Sequence, residues 1–327
     1  MEVSTLSKAL AAVARCRGDI AGAFRMSLAR WGEGSPATLL LRAAITTGAL
    51  GDDHAFAAMI AGVPTQSIIA AIDRISPWRR AAPNVPVLCE SAPPQASWRN
   101  EGQVIAVSSA DFETVRVNAD KSIAGILVFT VEAGRELGDA FMGQLSNDAG
   151  GAINYAESDA LLNPANDGTG TAPASLTHDA IKVQSTGSTA EAIRNDLATL
   201  LAQFGGDMSR AVWAVSSRTA TQLALHGAAL GSADVNVTGG FLAGLPLCAA
   251  RGVPDSVLAL IDPSGIVLFD GGAQFATSEQ SMLTMPDGSV RSLWDENLGA
   301  LRFIRVLDWQ AGRAGCVAAI TGIQWAT

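Results

Sequence analysis

Residues 161–173, LLNPANDGTGTAP, end a long helical pattern and decide how the rest of the chain can be interpreted. The thirteen positions hold two prolines, two asparagines, one aspartate and two glycines, so a calcium loop, a phosphate loop and a helix stop compete. A calcium loop of the EF-hand type needs alternating oxygen ligands and a glutamate at its twelfth position. Here Asn166 and Asp167 are adjacent, and the twelfth residue counted from Asn163 is Ala174.

The phosphate loop fails for a different reason. Such a loop needs a lysine and the N-terminus of a following helix, and neither stands near Gly168–Gly170. Asparagine and glycine adopt unusual backbone angles at low cost, which suits a chain that leaves a helix. We therefore interpret the stretch as a helix stop and turn with a conformational role.

The stretch follows apolar residues at helical spacing from about Ala133 to Leu162. This pattern predicts a helix of about 28 residues, or about 40 Å at 1.5 Å per residue. Gly150–Gly151 predict a bend or a close-packing point in its middle.

Helices and strands alternate after the stretch. A serine or threonine N-cap and a capping-box Glu191 predict a helix in STAEAIRNDLATLLAQFGG. We expect a buried strand in RAVWAVSS, one helix in SRTATQLALHGAALG, and two strands around a turn at Asp262–Gly265. The tail predicts paired strands with a turn at Gln310–Gly315.

The first half of the chain shows two different sequence patterns, one helical and one typical of strands. Helical spacing covers residues 4–30 and stops near Gly32–Gly34, and a second helix is expected from Pro64 to Ile75. From about residue 85 the composition favours strands, including a long hairpin that projects from the core. The whole pattern predicts a mixed α+β protein.

Composition argues for contact with other protein chains. Only 16% of the 327 residues are charged, against about a quarter in typical soluble domains. The net charge is −9 with three lysines, which argues against nucleic-acid binding through a basic patch. The small basic group Arg74, Arg79 and Arg80 beside Trp78 is interpreted as a solvated turn.

Neither redox nor targeting signals are evident. The four cysteines form no C-x-x-C pair, which favours buried reduced thiols. There is no signal-peptide pattern and no apolar run of membrane-spanning length, which predicts a soluble protein of the cytoplasm.

None of the candidate catalytic residues in the sequence is interpreted as catalytic. No G-x-S-x-G or H-E-x-x-H motif occurs, and His54 and His178 lie in polar, loop-like surroundings while His226 lies near a helix end. Glu132, Glu136 and Asp139 share one helical face and are interpreted as an exposed or subunit-facing surface. We predict no catalytic, cofactor-binding or metal-binding residue, and no cofactor. Core or interface anchoring is expected of four tryptophans in strand-like contexts: Trp98, Trp294, Trp309 and Trp325.

Six segments in order resemble the major capsid proteins of tailed bacteriophages with the Hong Kong 97 fold. ASWRNEGQVIAVSSADFETVRVNADKSIAGILVFTVEAGREL is similar to the projecting hairpin and the entrance to the spine helix, and ALLNPANDGTGTAPASL to the end of that helix. AVWAVSSRTATQLALHGAALG, GGFLAGLPLCAARGVP and LALIDPSGIVLFDGG resemble parts of the axial domain. SLWDENLGALRFIRVLDW with GCVAAITGIQW resembles the closing helix-and-strand segment, so the resemblance covers residues 85–327.

The resemblance implies an α+β capsid fold in five approximate segments. These are an N-terminal arm (1–80), a projecting hairpin or E-loop with the start of the peripheral domain (81–130), the spine helix and rest of the peripheral domain (131–175), an axial domain (176–270) and a return segment (271–327). It also implies a non-enzymatic subunit that assembles as hexamers and pentamers into an icosahedral shell around double-stranded DNA, without sequence-specific DNA binding or a membrane partner. Scaffold, portal and decoration proteins are the other expected partners, and the expected location is the virion capsid, assembled in the cytoplasm of a bacterial host.

Two departures from the family pattern affect this expectation. Some members join subunits through a hairpin lysine, but residues 88–117 contain none and Lys121 lies beyond the matching tip, so we predict non-covalent assembly. Many members carry a long charged N-terminal scaffolding region; here it is expected to be short or absent, which leaves room for a separate scaffold protein. The alternatives are an encapsulin-like compartment that holds cargo enzymes, and a soluble hydrolase that uses His178 or His226.

Overall fold

A computed structural model describes residues 20–46, 67–92, 111–230, 234–285 and 287–325, with positions 8, 9, 12, 15, 16, 96, 98, 100 and 101. The chain forms two compact units. Unit one comprises Met1–Thr65, Ser122–Asn154 and Asp270–Leu307, and unit two comprises Gln66–Lys121, Tyr155–Phe269 and Asp308–Thr327. These borders follow contacts between residues, so they differ from the five segments expected by resemblance.

The described helices are α1 (Ile20–Trp31), α2 (Pro36–Thr46), α3 (Ile68–Ile75), α4 (Val131–Leu162), α5 (Ala190–Gln203), α6 (Ser217–Leu225) and α7 (Gly227–Leu230). The strands of the first half are β1 (Arg79–Arg80), β2 (Val87–Ala92), β3 (Asp111–Val115), β4 (Ser122–Thr130) and β5 (Ile181–Gln184). They are followed by β6 (Val212–Ser216), β7 (Asp234–Asn236), β8 (Gly239–Leu242), β9 (Leu245–Ala250) and β10 (Val257–Ile261). The last are β11 (Ile266–Ser278), β12 (Met282–Thr284), β13 (Val290–Ser292), β14 (Leu298–Ala311) and β15 (Val317–Thr321).

Unit one is built on a sheet in which β14 lies beside β4. The two strands are antiparallel, from the pair Leu298 and Thr130 to the pair Val306 and Ser122. Side chains alternate between the faces of a strand, and β4 accordingly alternates between exposed and half-buried residues along its whole length. One face of the sheet packs on the first part of α4 and on α1 and α2, in an apolar core that includes Ile153, Leu301 and Phe303.

Unit two contains a seven-stranded sheet in the order β5-β15-β10-β6-β9-β8-β7. Its central strands β6 and β10 are buried at every position, as expected for strands covered on both faces. A large apolar core lies on this sheet, with Trp213, Leu223 and Leu258 fully buried and α5 packed against it.

Several predicted elements are confirmed. The helix after residue 131 is 32 residues long and ends at Leu162, as the helix-stop interpretation requires. The N-terminal pattern gives α1, which ends at Trp31 before Gly32, and α3 begins after its N-cap Ser67. Residues 64–66, where the second helix was expected to start, lie outside the described part of the chain.

Other local predictions are wrong for identifiable reasons. Thr189 caps α5 by accepting the N–H of Ala192, so Glu191 is one residue too early for a capping box. The single helix expected across His226 is divided into α6 and α7, because His226 ends α6 as its C-cap.

One long-range prediction also fails. The tail strands β14 and β15 do not pair with each other: β14 lies beside β4, whereas β15 lies between β10 and β5. The two strands predicted around Asp262–Gly265 are confirmed as β10 and β11, which belong to different sheets. The segment SLWDENLGALRFIRVLDW, which resembles a closing helix-and-strand segment, forms turns at 293–297 and the strand β14, with no helix.

Candidate functional site

Side-chain hydrogen bonds stabilise the turn that ends α4. The Asn166 amide Nδ2 donates to the carbonyl oxygens of Ala160 at 2.9 Å and Pro173 at 2.7 Å. Two hydroxyl groups, those of Ser175 and Thr177, donate to the carbonyls of Leu161 and Leu162. Since the last carbonyls of a helix lack partners within the helix, these bonds satisfy the end of α4 and explain its abrupt stop.

The backbone of the turn requires glycine at one position. Gly168 has φ +77°, and a Cβ there would lie 2.8 Å from Ala174. The carboxylate of Asp167 accepts the backbone N–H and the hydroxyl of Thr169, and these bonds lower the pKa of Asp167. The acidic and amide groups of the stretch are therefore engaged in the turn itself, which confirms the conformational interpretation.

The histidines considered for hydrolysis have structural surroundings. His178 Nδ1 lies 3.0 Å from the carbonyl oxygen of Pro164, within the turn that follows α4. His226 is the C-cap of α6, and His54 lies outside the described residues. Over the described part of the chain, no group of three or more histidine, cysteine or acidic side chains is placed to hold a metal ion.

The charged side chains of these clusters are exposed where they are described. Glu132 lies 3.5 Å from the Asn297 amide, Glu136 is exposed, and the side chain of Asp139 is not among those described. In the basic group, Arg79 donates to the carbonyl of Leu88 and Arg80 forms an ion pair with Asp73.

Tryptophans and cysteines divide by burial. Trp309 and Trp325 are buried, as expected of core anchors, whereas Trp98 and Trp294 are exposed. Cys89, Cys248 and Cys316 are buried free thiols, and Cys16 is half-buried. None of the helices that the structure describes has the length and apolar character to span a bilayer.

The principal surface feature of unit two is the ribbon formed by β2 and β3. Antiparallel register places Val87 opposite Val115 and Cys89 opposite Glu113 on one face. Val87, Cys89 and Val115 pack there in a small core with Val117 and Val267. That contact explains how a two-stranded ribbon, marginal alone, can hold its shape.

The opposite face of the ribbon is apolar and exposed. Leu88 is 63% exposed and Phe112 is 60% exposed, and the register makes them diagonal neighbours. Trp98, in the segment between the two strands, is fully exposed. Exposed patches of large apolar side chains are frequent at sites where proteins bind one another. The strand composition from about residue 85 indicated a hairpin here, but it did not indicate that this face is exposed.

Unit one exposes a comparable surface at β4. This strand is at the edge of its sheet, and in the described part of the chain no strand pairs with its free side. The strand has no charged residue and no proline, and Ile126 and Val128 are exposed. Natural edge strands are usually protected by charge, proline or a covering segment, so this edge also indicates a neighbour.

Sequence reasoning missed one buried polar contact of unit two. Glu157 on α4 is fully buried and accepts the Ser67 hydroxyl at 2.5 Å and the Ile69 backbone N–H at 3.2 Å. It thereby satisfies donors at the N-terminus of α3, where a negative charge is also favoured by the helix dipole. Helical spacing alone gives no signal that a glutamate points inward.

Comparison with known proteins gives one curated relative and many solved structures. No family model matches the chain. The chain is similar to a protein named "Capsid polyprotein" from Pseudomonas phage PAJU2, with 30% identity over 268 residues, which are 76% of this chain. The match spans 40% of the length of that relative.

The structural neighbours identify the fold. A chain from Mycobacterium phage Adephagia has a TM-score of 0.57 and 15% identity, covering 80% of this chain and 92% of that chain. One from Microbacterium phage Oxtober96 has a TM-score of 0.55 and 17% identity, covering 78% and 91%. The capsid of an empty GTA particle has a TM-score of 0.50 and 14% identity, covering 80% and 91%. At these identities the likeness shows the fold alone.

Proposed function

This chain has the Hong Kong 97 capsid fold and is related to a phage capsid polyprotein, and from this premise we propose that it is the major capsid protein of a tailed double-stranded-DNA phage. The subunit assembles with copies of itself into a closed shell of hexamers and pentamers. The observation that carries the proposal is the exposed apolar face of the ribbon, with Leu88 and Phe112, together with the exposed Trp98 in the segment between its strands. Such side chains are typical anchors of protein interfaces when a partner desolvates them.

The same proposal assigns roles to the parts of the chain. Residues 81–130 include the projecting hairpin, 131–175 the spine helix, 176–270 the axial domain and 271–327 the return segment, while residues 1–80 form an arm. The net charge of −9 suits a container whose wall does not hold DNA tightly. Scaffold, portal and decoration proteins are proposed partners, assembly takes place in the cytoplasm of the bacterial host, and the subunit has no catalytic role.

Electron microscopy and sedimentation of the purified chain, alone and with a scaffold protein, test the proposal. Closed particles are expected, and monomers or dimers alone under every condition would overturn it. DNA inside the particles supports the phage assignment, whereas an enzyme with a docking tail would indicate an encapsulin-like compartment.

A substitution on the exposed face of the ribbon tests whether this face is an assembly contact. Phe112→Ser is expected to reduce particle yield while the subunit remains folded, because the interface loses a large apolar side chain. Thr114→Ser, on the same exposed face, is the matched control. Normal particles from Phe112→Ser would show that the ribbon face is not an assembly contact.

Non-covalent assembly is tested on the same particles. Denaturing electrophoresis should give a single band at the subunit mass of 33.6 kDa. A ladder of covalent oligomers would contradict it.

A further inference from the structure

The root of the ribbon, where the chain runs from β3 to β4, is held at several points within unit two. The backbone N–H of Asn118 donates to the Asp308 carboxylate at 2.6 Å. Asn84, on the other side of the root, donates its N–H to the carbonyl of Val117 at 2.8 Å. The chain on both sides of the ribbon is thus fixed before the strands begin.

Lys121 adds a contact to the turn that ends α4. Its ammonium Nζ donates to the carbonyl oxygen of Ala172 at 2.9 Å, and the side chain is half-buried. The indole N–H of Trp309 donates to the carbonyl of Ala174 at 2.8 Å, two residues further on. The far end of the stretch 161–173 is therefore attached to the ribbon root and to β14.

The charges at this junction reinforce the contact. The Asp308 side chain is almost fully buried. Burial raises the pKa of Asp308, while the hydrogen bonds from Asn118 and Trp309 and the positive charge of Lys121 act in the opposite direction. Asp120 is the other charged group that acts on this carboxylate, and it adds repulsion. Lys121 therefore partly compensates a buried negative charge while it binds a carbonyl on the adjacent turn.

We propose that Lys121 is a positioning residue that clamps the root of the projecting ribbon to the turn after α4, so that the ribbon leaves the subunit in one orientation. This proposal rests on the proposed capsid function, because a fixed orientation matters when the ribbon must reach a neighbouring subunit. If the root were flexible, binding to a neighbouring subunit would also have to order it and would lose more conformational entropy. A clamped ribbon therefore binds more tightly for the same buried surface. The role differs from covalent joining, since the lysine is used within its own subunit.

Amide hydrogen exchange of the intact, unassembled chain tests the clamp directly. Lys121→Met keeps the length of the side chain and removes its charge and donor. We expect protection of the backbone amides at 116–121 to fall by about fivefold, the effect of one lost hydrogen bond. Lys182→Met is the matched control, because Lys182 is exposed on β5, and Lys121→Arg should restore most of the protection.

Two results overturn the proposal: unchanged exchange at 116–121 in Lys121→Met, or an equal loss at all amides of unit two, which would show a general effect on stability. Trp309→Phe keeps a smaller aromatic ring but removes the indole N–H, and it should lower protection of the amides of residues 172 and 174 by a comparable factor.

Particle yield provides the functional readout. Lys121→Met should give fewer closed particles than Lys182→Met at equal unfolding midpoints, and equal yields would contradict a role in assembly. If the wild-type chain forms no particles at all, the capsid function fails, while the exchange experiment still decides whether the clamp exists.

Discussion

Replacing Asn166 by aspartate tests the helix stop most directly. The substitution keeps the shape of the side chain but replaces the Nδ2 donor by a carboxylate oxygen. The carbonyl oxygens of Ala160 and Pro173, now 2.9 and 2.7 Å from that donor, would then face a negative charge instead of an N–H group.

The expected loss follows from these contacts. Two hydrogen bonds at about 1 kcal/mol each give about 2 kcal/mol. A negative charge at the C-terminal end of α4 adds about 0.5 kcal/mol of unfavourable interaction with the helix dipole. Asn166→Asp should therefore lower the free energy of unfolding by roughly 2–3 kcal/mol at neutral pH.

Urea unfolding of unassembled subunits, followed by tryptophan fluorescence, measures this loss. Asn195→Asp is the control, because Asn195 is exposed on α5 and the charge change is the same. The difference between the two variants should shrink in acid, since a protonated carboxyl group can again donate a hydrogen bond. A loss at Asn166 no larger than at Asn195, or one that does not change with pH, would refute the account of the helix stop.

Two further substitutions and one thiol-labelling experiment test the packing within each unit. Glu157→Ala should cost about 2–4 kcal/mol of unfolding free energy, because the Ser67 hydroxyl and a backbone N–H lose their buried acceptor. Gly125→Ala should cost about 1–3 kcal/mol, because the new Cβ would overlap the buried ring of Phe303; both losses are measured by urea unfolding. Burial raises the pKa of Cys316 to about 11, so at pH 8 this thiol should react with a maleimide reagent only after unfolding, as followed by mass spectrometry.

Each of these predictions has a direct control. Glu136→Ala removes an exposed carboxylate from the same helix as Glu157 and should leave stability almost unchanged. Gly134→Ala would place its Cβ 3.7 Å from the Phe129 ring, an ordinary contact, on a helical backbone, so it should be neutral or stabilising. Cys16, which is half-buried, should be labelled faster than Cys316 in the native protein. Equal effects in a variant and its control would contradict the packing described for that position.

Much of the local structure was predictable because its signals lie within a few residues of one another. Pro, Asn and Gly at 164–170 indicated the end of α4, and uninterrupted apolar residues indicated the buried strand β6. The capping-box role of Glu191 was wrong because serine and threonine stand side by side at 188–189: Glu191 would be in the right place for a Ser188 cap, but Thr189 is the cap.

The functional surfaces were predictable only in part. Strand composition indicated that a hairpin precedes α4, yet alternation of side chains does not say which face is covered. Leu88 and Phe112 are exposed because the opposite face of the ribbon, with Cys89 and Val115, packs on Val267. That contact joins residues more than 150 positions apart in the chain, and no local pattern encodes it.

The sequence by itself determined the helix stop, the central buried strands, the low surface charge and, through six short segments in order, the likeness to a capsid fold. Only the tertiary structure decided that β14 and β15 belong to different sheets, that Glu157 caps α3, and that Lys121 binds the turn after α4. The physical reason is the range of the interactions. Capping, periodicity and turn chemistry act between neighbours in the chain, whereas strand pairing and buried polar contacts depend on which distant segments the folded core brings together.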